Sequence, residues 1–134
     1  SRIVRLLEEE NELLEIAKVV GQDVLSDSKR LVLETCKAIR VGFLQQNALS
    51  KIDSFVSLEK QYQMMRSILL IYDGALKIIN KSIPISKIRE LGVLKNYIKL
   101  KNEISNDELD KFKLFNTKVK ESFRKLEEDY EKHV

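Results

Sequence analysis

The chain has 134 residues, with 24 Lys and Arg against 21 Asp and Glu for a formal net charge of +3, and it holds one Cys, one His, one Pro, four Gly and no Trp. That length suits one domain burying roughly two-thirds of its unfolded surface, and so few Gly and Pro exclude hairpin-rich β folds and long structureless linkers. A lone Cys36 excludes an internal disulfide, and a lone His133 beside the terminus excludes a His/Cys metal site or a nucleophile activated by histidine.

Five helical segments follow from period and caps, so the expected fold class is all-α, a bundle of about five helices. The first runs from about Arg2 to Val20, with Ile3, Leu6, Leu7, Leu13, Leu14, Ala17 and Val20 near one face and Glu8, Glu9, Glu10, Glu12 and Glu15 over the rest. Gly21 ends it. After a short polar connection, Ser26, Asp27 or Ser28 caps a second helix reaching about Gln46, with Val32, Cys36, Ile39 and Phe43 inward. Cys36 reads there as a small core residue.

Asn47 to Val56 shows no helical period. Ser57 then caps a third helix with two adjacent stripes, one of Leu58, Tyr62, Met65, Leu69, Tyr72, Leu76 and Ile79, the other of Met64, Ile68, Ile71, Ala75 and Ile78. So wide an apolar face places this helix at the centre of the bundle. Pro84 marks the next break, and Ser86 is the expected cap of a helix over Lys87 to about Lys101, interrupted in propensity by Gly92. Ser105 and Glu108 form a capping box before the last helix, whose inner face is Leu109, Phe112, Phe115, Val119, Phe123, Leu126 and Tyr130. Glu121 with Lys125 and Glu128 with Lys132 have the favourable i,i+4 order outside.

No Gly-x-x-x-x-Gly-Lys-Ser/Thr or Gly-x-Gly-x-x-Gly run supplies a phosphate-cradling loop. The longest apolar run, Ile68 to Tyr72, is five residues, too short to cross a bilayer. Arg2 and Arg5 lead into glutamates rather than the apolar core of a leader peptide. Lys95, Lys99 and Lys101 are the nearest approach to a basic patch and read as a solvated face, so no nucleic-acid partner is expected. Alone, the chain is expected to be catalytically inactive.

Three stretches carry more. Phe43-Leu44-Gln45-Gln46-Asn47-Ala48, Asp53-Ser54-Phe55 and Leu58-Glu59-Lys60-Gln61-Tyr62 resemble the C-terminal region of the catalytic A subunit of archaeal-type (A/V-type) rotary ATPases. That family typically reads Phe-Leu-Gln-Gln-Asn-Ala-Phe, Asp-Thr-Tyr-Cys-Pro and Leu-Glu-Lys-Gln; here Leu49 replaces a Phe and Val56-Ser57 replace Cys-Pro. Leu14-Glu15-Ile16, Val20-Gly21, Arg30-Leu31-Val32-Leu33-Glu34-Thr35 and Ile83-Pro84-Ile85 resemble the flanks. The stretch Gln22-Asp23-Val24-Leu25-Ser26-Asp27-Ser28 is similar, more distantly, to the region of the acidic DELSEED loop of F-type β subunits.

The resemblance implies that residues 1–134 are one C-terminal helical domain of a longer catalytic subunit, whose P-loop and Mg²⁺ ligands lie in another domain. It implies ATP or ADP with Mg²⁺ in the intact protein, with none held by this part alone. The implied partners are the rest of the catalytic subunit, neighbouring B subunits and the central stalk, on the cytoplasmic side of a membrane as a peripheral part of the complex, without direct insertion. Gln22, Asp23, Val24, Leu25, Ser26, Asp27 and Ser28 become the stalk-facing loop. With two acids where the β loop has five, steric contact is expected rather than an electrostatic push. Phe55 becomes an adenine-stacking aromatic, with Gln45 and Gln46 lining the same pocket. Two other classes stay open on residues alone: a free-standing helical adaptor for a partner helix, and a small RNA-binding bundle.

Overall fold

Ser57 enters in extended conformation and its hydroxyl accepts the Lys60 N–H at 3.1 Å, which starts the longest helix, α3 (Leu58–Asn80). The structure is a computed structural model that describes residues 1–44 and 56–133, without the side chains of Phe43 and Leu44. Around α3 stand α1 (Arg2–Val20), α2 (Asp27–Ile39), α4 (Ile85–Leu91), α5 (Val93–Glu103) and α6 (Asp110–Glu131), and no strand occurs among the described residues. The protein is an all-α helical bundle.

Helix α3 is central because α2, α5 and α6 all pack on it. Its core stripe is Met64, Ile68, Ile71, Ala75 and Ile78, every one buried. The other stripe is a flank, with Leu58 and Tyr62 exposed and the rest half-buried. Two contacts fix α6 against α3. Ser67 Oγ donates to Asn116 Oδ1 at 2.6 Å, and Gly74 admits the ring of Phe123.

Helix α1 ends where expected, at Gly21 with φ 85°. Helix α2 keeps its α-helical pitch only to Ile39, and Arg40–Leu44 continue as a wider π-helical turn. Gly42 lies in that turn, where a Cβ would come within 3.1 Å of the Ile98 Cα, so the turn crosses α5 closely. The expected end of this helix near Gln46 and the irregular stretch from Asn47 lie outside the described residues, Val56 excepted.

The fourth expected helix is two. Pro84 precedes the first residue, Ile85, so Ser86 lies inside α4 rather than capping it, and Gly92 (φ 70°, ψ 18°) separates α4 from α5. Proline brings no side-chain acceptor; instead Asp27 Oδ2 accepts the Ile85 N–H at 3.0 Å. The Ser105 and Glu108 box sits on its own turn ahead of α6, where Glu108 Oε1 accepts the Ser105 N–H at 3.2 Å. The Lys111 ammonium and the two Ser105 donors hold the pKa of the Glu108 carboxyl down at about 2. On the outside of α6, Glu128 meets Lys132 at 3.7 Å as expected, while Glu121 turns to Arg124 at 2.5 Å.

Candidate functional site

The connection between α1 and α2 opens with a 3₁₀ turn, Gln22–Val24, closed by the Leu25 N–H on the Gln22 carbonyl at 3.0 Å. Leu25 then points inward, into a cluster with Leu6, Leu13, Val32 and Cys36. Ser26 precedes α2, its carbonyl accepting the Lys29 and Arg30 N–H groups, and its hydroxyl lies 3.2 Å from that of Ser28. The seven residues from Gln22 to Ser28 therefore divide. Gln22, Asp23, Val24 and Ser26 are exposed, Leu25 is buried, and Asp27 and Ser28 are half-buried.

Neither acid of the loop stands alone. Asp23 Oδ1 is 3.4 Å from Arg30 Nη2, and Asp27 is engaged by the α4 backbone. What the tip presents instead is apolar: Val19 is 85% exposed, Val24 70%, and Ile16 and Val20 each 48%. The pattern of α1 puts Val20 on its buried face, and the structure corrects this. The last turns of α1 overshoot the helices that cover Ile3, Leu6 and Leu13, so residues of core type face water there.

The root of the tip is pinned by a charge pair that the sequence pattern does not reveal. Glu10 is 3% exposed and its carboxylate pairs with Arg40 from the π-helical turn. Beside it the Cys36 thiol donates to the Leu6 carbonyl at 3.3 Å, and burial pushes its pKa up to about 12, which keeps it a protonated core residue. Burial also raises the Tyr72 hydroxyl above its ordinary value.

The other expected site residues, Gln45, Gln46 and Phe55, lie outside the described residues. The chain that follows them is firmly held. The Ser57 N–H donates to Asn106 Oδ1 at 3.1 Å, and Lys60, 1% exposed, donates from Nζ to the Lys101 carbonyl at 2.6 Å. Nothing in the pattern of a motif lysine marks it as buried. Lys101 is itself buried while Lys95 and Lys99 are exposed, so the three lysines do not form one solvated face. Among the described residues no three carboxylate, thiol or imidazole groups come together as metal ligands, so these residues do not fit a Mg²⁺ site. No helix among them is long and apolar enough to cross a membrane.

Fold and site together define a helical module built on one long central helix, with a helix-turn-helix tip carrying exposed aliphatic side chains. Residues 1–89 match the family described as the C-terminal domain of V and A type ATP synthase, and the chain belongs to that family. It is 44% identical over 128 residues, 96% of its length, to a V-type ATP synthase alpha chain of Halothermothrix orenii, and it covers 22% of that relative. It is 43% identical over 132 residues to the V-type ATP synthase alpha chain 2 of Clostridium tetani, across 98% of this chain and 22% of the relative. Against the A-type ATP synthase catalytic-type relative of Sulfolobus acidocaldarius, its A subunit, the identity is 39% over 128 residues, across 94% of this chain and 22% of the relative. The chain thus spans about a fifth of the length of these relatives.

Proposed function

We propose that the chain is the helical end of the catalytic subunit of an A/V-type rotary ATPase, and that it passes nucleotide-driven motion to the central stalk. The observation that carries this reading is the 44% identity, over nearly the whole chain, to a protein named V-type ATP synthase alpha chain. ATP or ADP with Mg²⁺ is held by the remainder of the subunit. Neighbouring B subunits and the stalk are the partners, and the complex lies against the cytoplasmic side of a membrane. A free-standing adaptor has no comparable support.

In this mechanism nucleotide occupancy elsewhere in the subunit swings the bundle, and the Gln22 to Ser28 tip pushes on, or is pushed by, the stalk. The push is steric, since Asp23 and Asp27 are both engaged within the domain. Helix α3 supplies the stiffness. The test is to replace Gln22 to Ser28 by glycines in the full subunit. The expected result is ATP hydrolysis without ion pumping, and unchanged coupling overturns the lever. For the nucleotide side, Phe55 stacks on adenine with Gln45 and Gln46 beside it. Phe55→Ala should then weaken nucleotide binding by about 1–3 kcal/mol, and unaltered affinity returns Phe55 to a packing role.

A further inference from the structure

The outer surface of α1 changes character along its length. Glu8, Glu12, Glu15 and Val19 are all exposed, and at 100° per residue they lie within about 60° of one another, a stripe about 16 Å long. Ile16 and Val20 adjoin its far end and Val24 continues it from the 3₁₀ turn. The buried residues of α1 (Ile3, Leu6, Glu10 and Leu13) occupy the opposite side of the helix, so no element of the bundle reaches this stripe. Exposed aliphatics clustered this way mark a contact surface rather than the scatter normal on soluble proteins.

The charges beside the patch say what covers it. Glu8, Glu9, Glu12 and Glu15 stand against Lys18 alone, four carboxylates to one ammonium, in a chain whose formal net charge is +3. Glu15 pairs with Lys18 at 2.9 Å, whereas Glu8, Glu9 and Glu12 form no ion pair among the described residues. The same carboxylates repel an anionic lipid surface. A second copy of this chain would meet the acids with acids if its α1 lay parallel, and with valines if it lay antiparallel.

We propose that this face of α1 seats one helix of a partner, an amphipathic helix lying along it. Its apolar side chains cover Ile16, Val19, Val20 and Val24, and its Lys or Arg side chains face Glu8, Glu12 and Glu15. The inference rests on the reading of the tip as the part that meets the rotating stalk. It names the kind of surface the stalk presents, and it moves the contact from the loop onto the flank of α1.

The experiment uses the assembled ATPase with three altered subunits: Val19→Asp with Val24→Asp, Glu8→Lys with Glu12→Lys and Glu15→Lys, and the glycine-replaced loop. All five substituted side chains are exposed, and unchanged thermal unfolding of the 134-residue chain verifies that the fold survives. The expected result is an at least tenfold fall in ions pumped per ATP hydrolysed for the valine pair. The glutamate set should fall too, more severely as salt is lowered, because repulsion from a basic partner is then unscreened. Normal coupling in both sets, with the glycine loop uncoupled, overturns the inference and leaves the tip reading standing. Normal coupling in all three overturns both. A concentration-dependent dimer of the 134-residue chain that Val19→Asp with Val24→Asp abolishes, with coupling unchanged, assigns the patch to a second copy and also overturns it.

Discussion

Replacing Gly74 with Ala sets helix propensity against packing. In the interior of α3 the change should gain about 0.5–1 kcal/mol by reducing the freedom of the unfolded backbone. Against this, a Cβ at position 74 would stand 2.5 Å from Cδ2 and 2.7 Å from Cε2 of Phe123. Non-bonded carbons settle at about 3.5–4.0 Å, so α3 and α6 must separate locally by about 1 Å or the ring must turn. Phe123 is only 6% exposed, which leaves the ring little room. Overpacking of this kind costs about 1–3 kcal/mol, so the net expectation is a loss of about 1 kcal/mol and a fall in Tm of about 4 °C for a domain of this size. A double-mutant cycle removes the ambiguity of a small difference. Phe123→Leu alone costs about 1–2 kcal/mol, but combined with Gly74→Ala it relieves the clash, so the pair should be less destabilised than the sum by at least about 1 kcal/mol. Urea denaturation followed by far-UV circular dichroism reads all four proteins. A stabilised Gly74→Ala protein, or single effects that add to within about 0.4 kcal/mol, refutes the reasoning.

Three further outcomes follow from the same structure. Arg40→Ala strands the buried Glu10 carboxylate and should cost about 2 kcal/mol, below the range for fully buried pairs because the Arg40 side chain is itself 42% exposed; adding Glu10→Leu should recover most of the loss, and a neutral Arg40→Ala would show that the pair contributes nothing. The Cys36 thiol, raised from 9.0 to about 12, contributes stability that is complete below pH 9 and lost as pH climbs toward 12, since the unfolded chain releases its proton first. Cys36→Ala should therefore flatten that part of the pH–stability curve, and an unchanged slope would assign it to other groups such as Tyr97, whose buried hydroxyl is also raised. Gly92→Ala meets open space but keeps φ at 70°, so calorimetry should show a loss of about 1–2 kcal/mol from backbone strain alone.

The bundle was legible because apolar residues recur every three or four positions over whole helices. The caps at Ser57 and Gly21 were legible because they are local chemistry. Position 86 misled because the residue that satisfies the start of α4, Asp27, is 58 positions away. Glu10 and Lys60 misled for the same reason. Glutamate within a glutamate run and lysine within a polar motif both read as solvated, and what buries them, Arg40 and the Lys101 carbonyl, lies 30 and 41 residues on. At the tip the error ran the other way. Val20 is of core type, and only the length of α1 relative to its neighbours decides that it faces water.

Asp27 has a consequence for how this domain tolerates change. As the first residue of α2 it faces the positive end of that helix, and through Oδ2 it also caps α4. One carboxylate thus serves two helix starts far apart in the chain, and Pro84 offers no local substitute. Substitution there is constrained twice over. Serine can satisfy a helix start beside it but lacks the reach to serve a second, and glutamate has the charge but a longer stem. Drift in the tip should accordingly run through Gln22, Asp23 and Ser26 and stop at position 27. There a surface loop inherits the constancy of a core, and a lineage that changes it should be found to have changed position 84 as well.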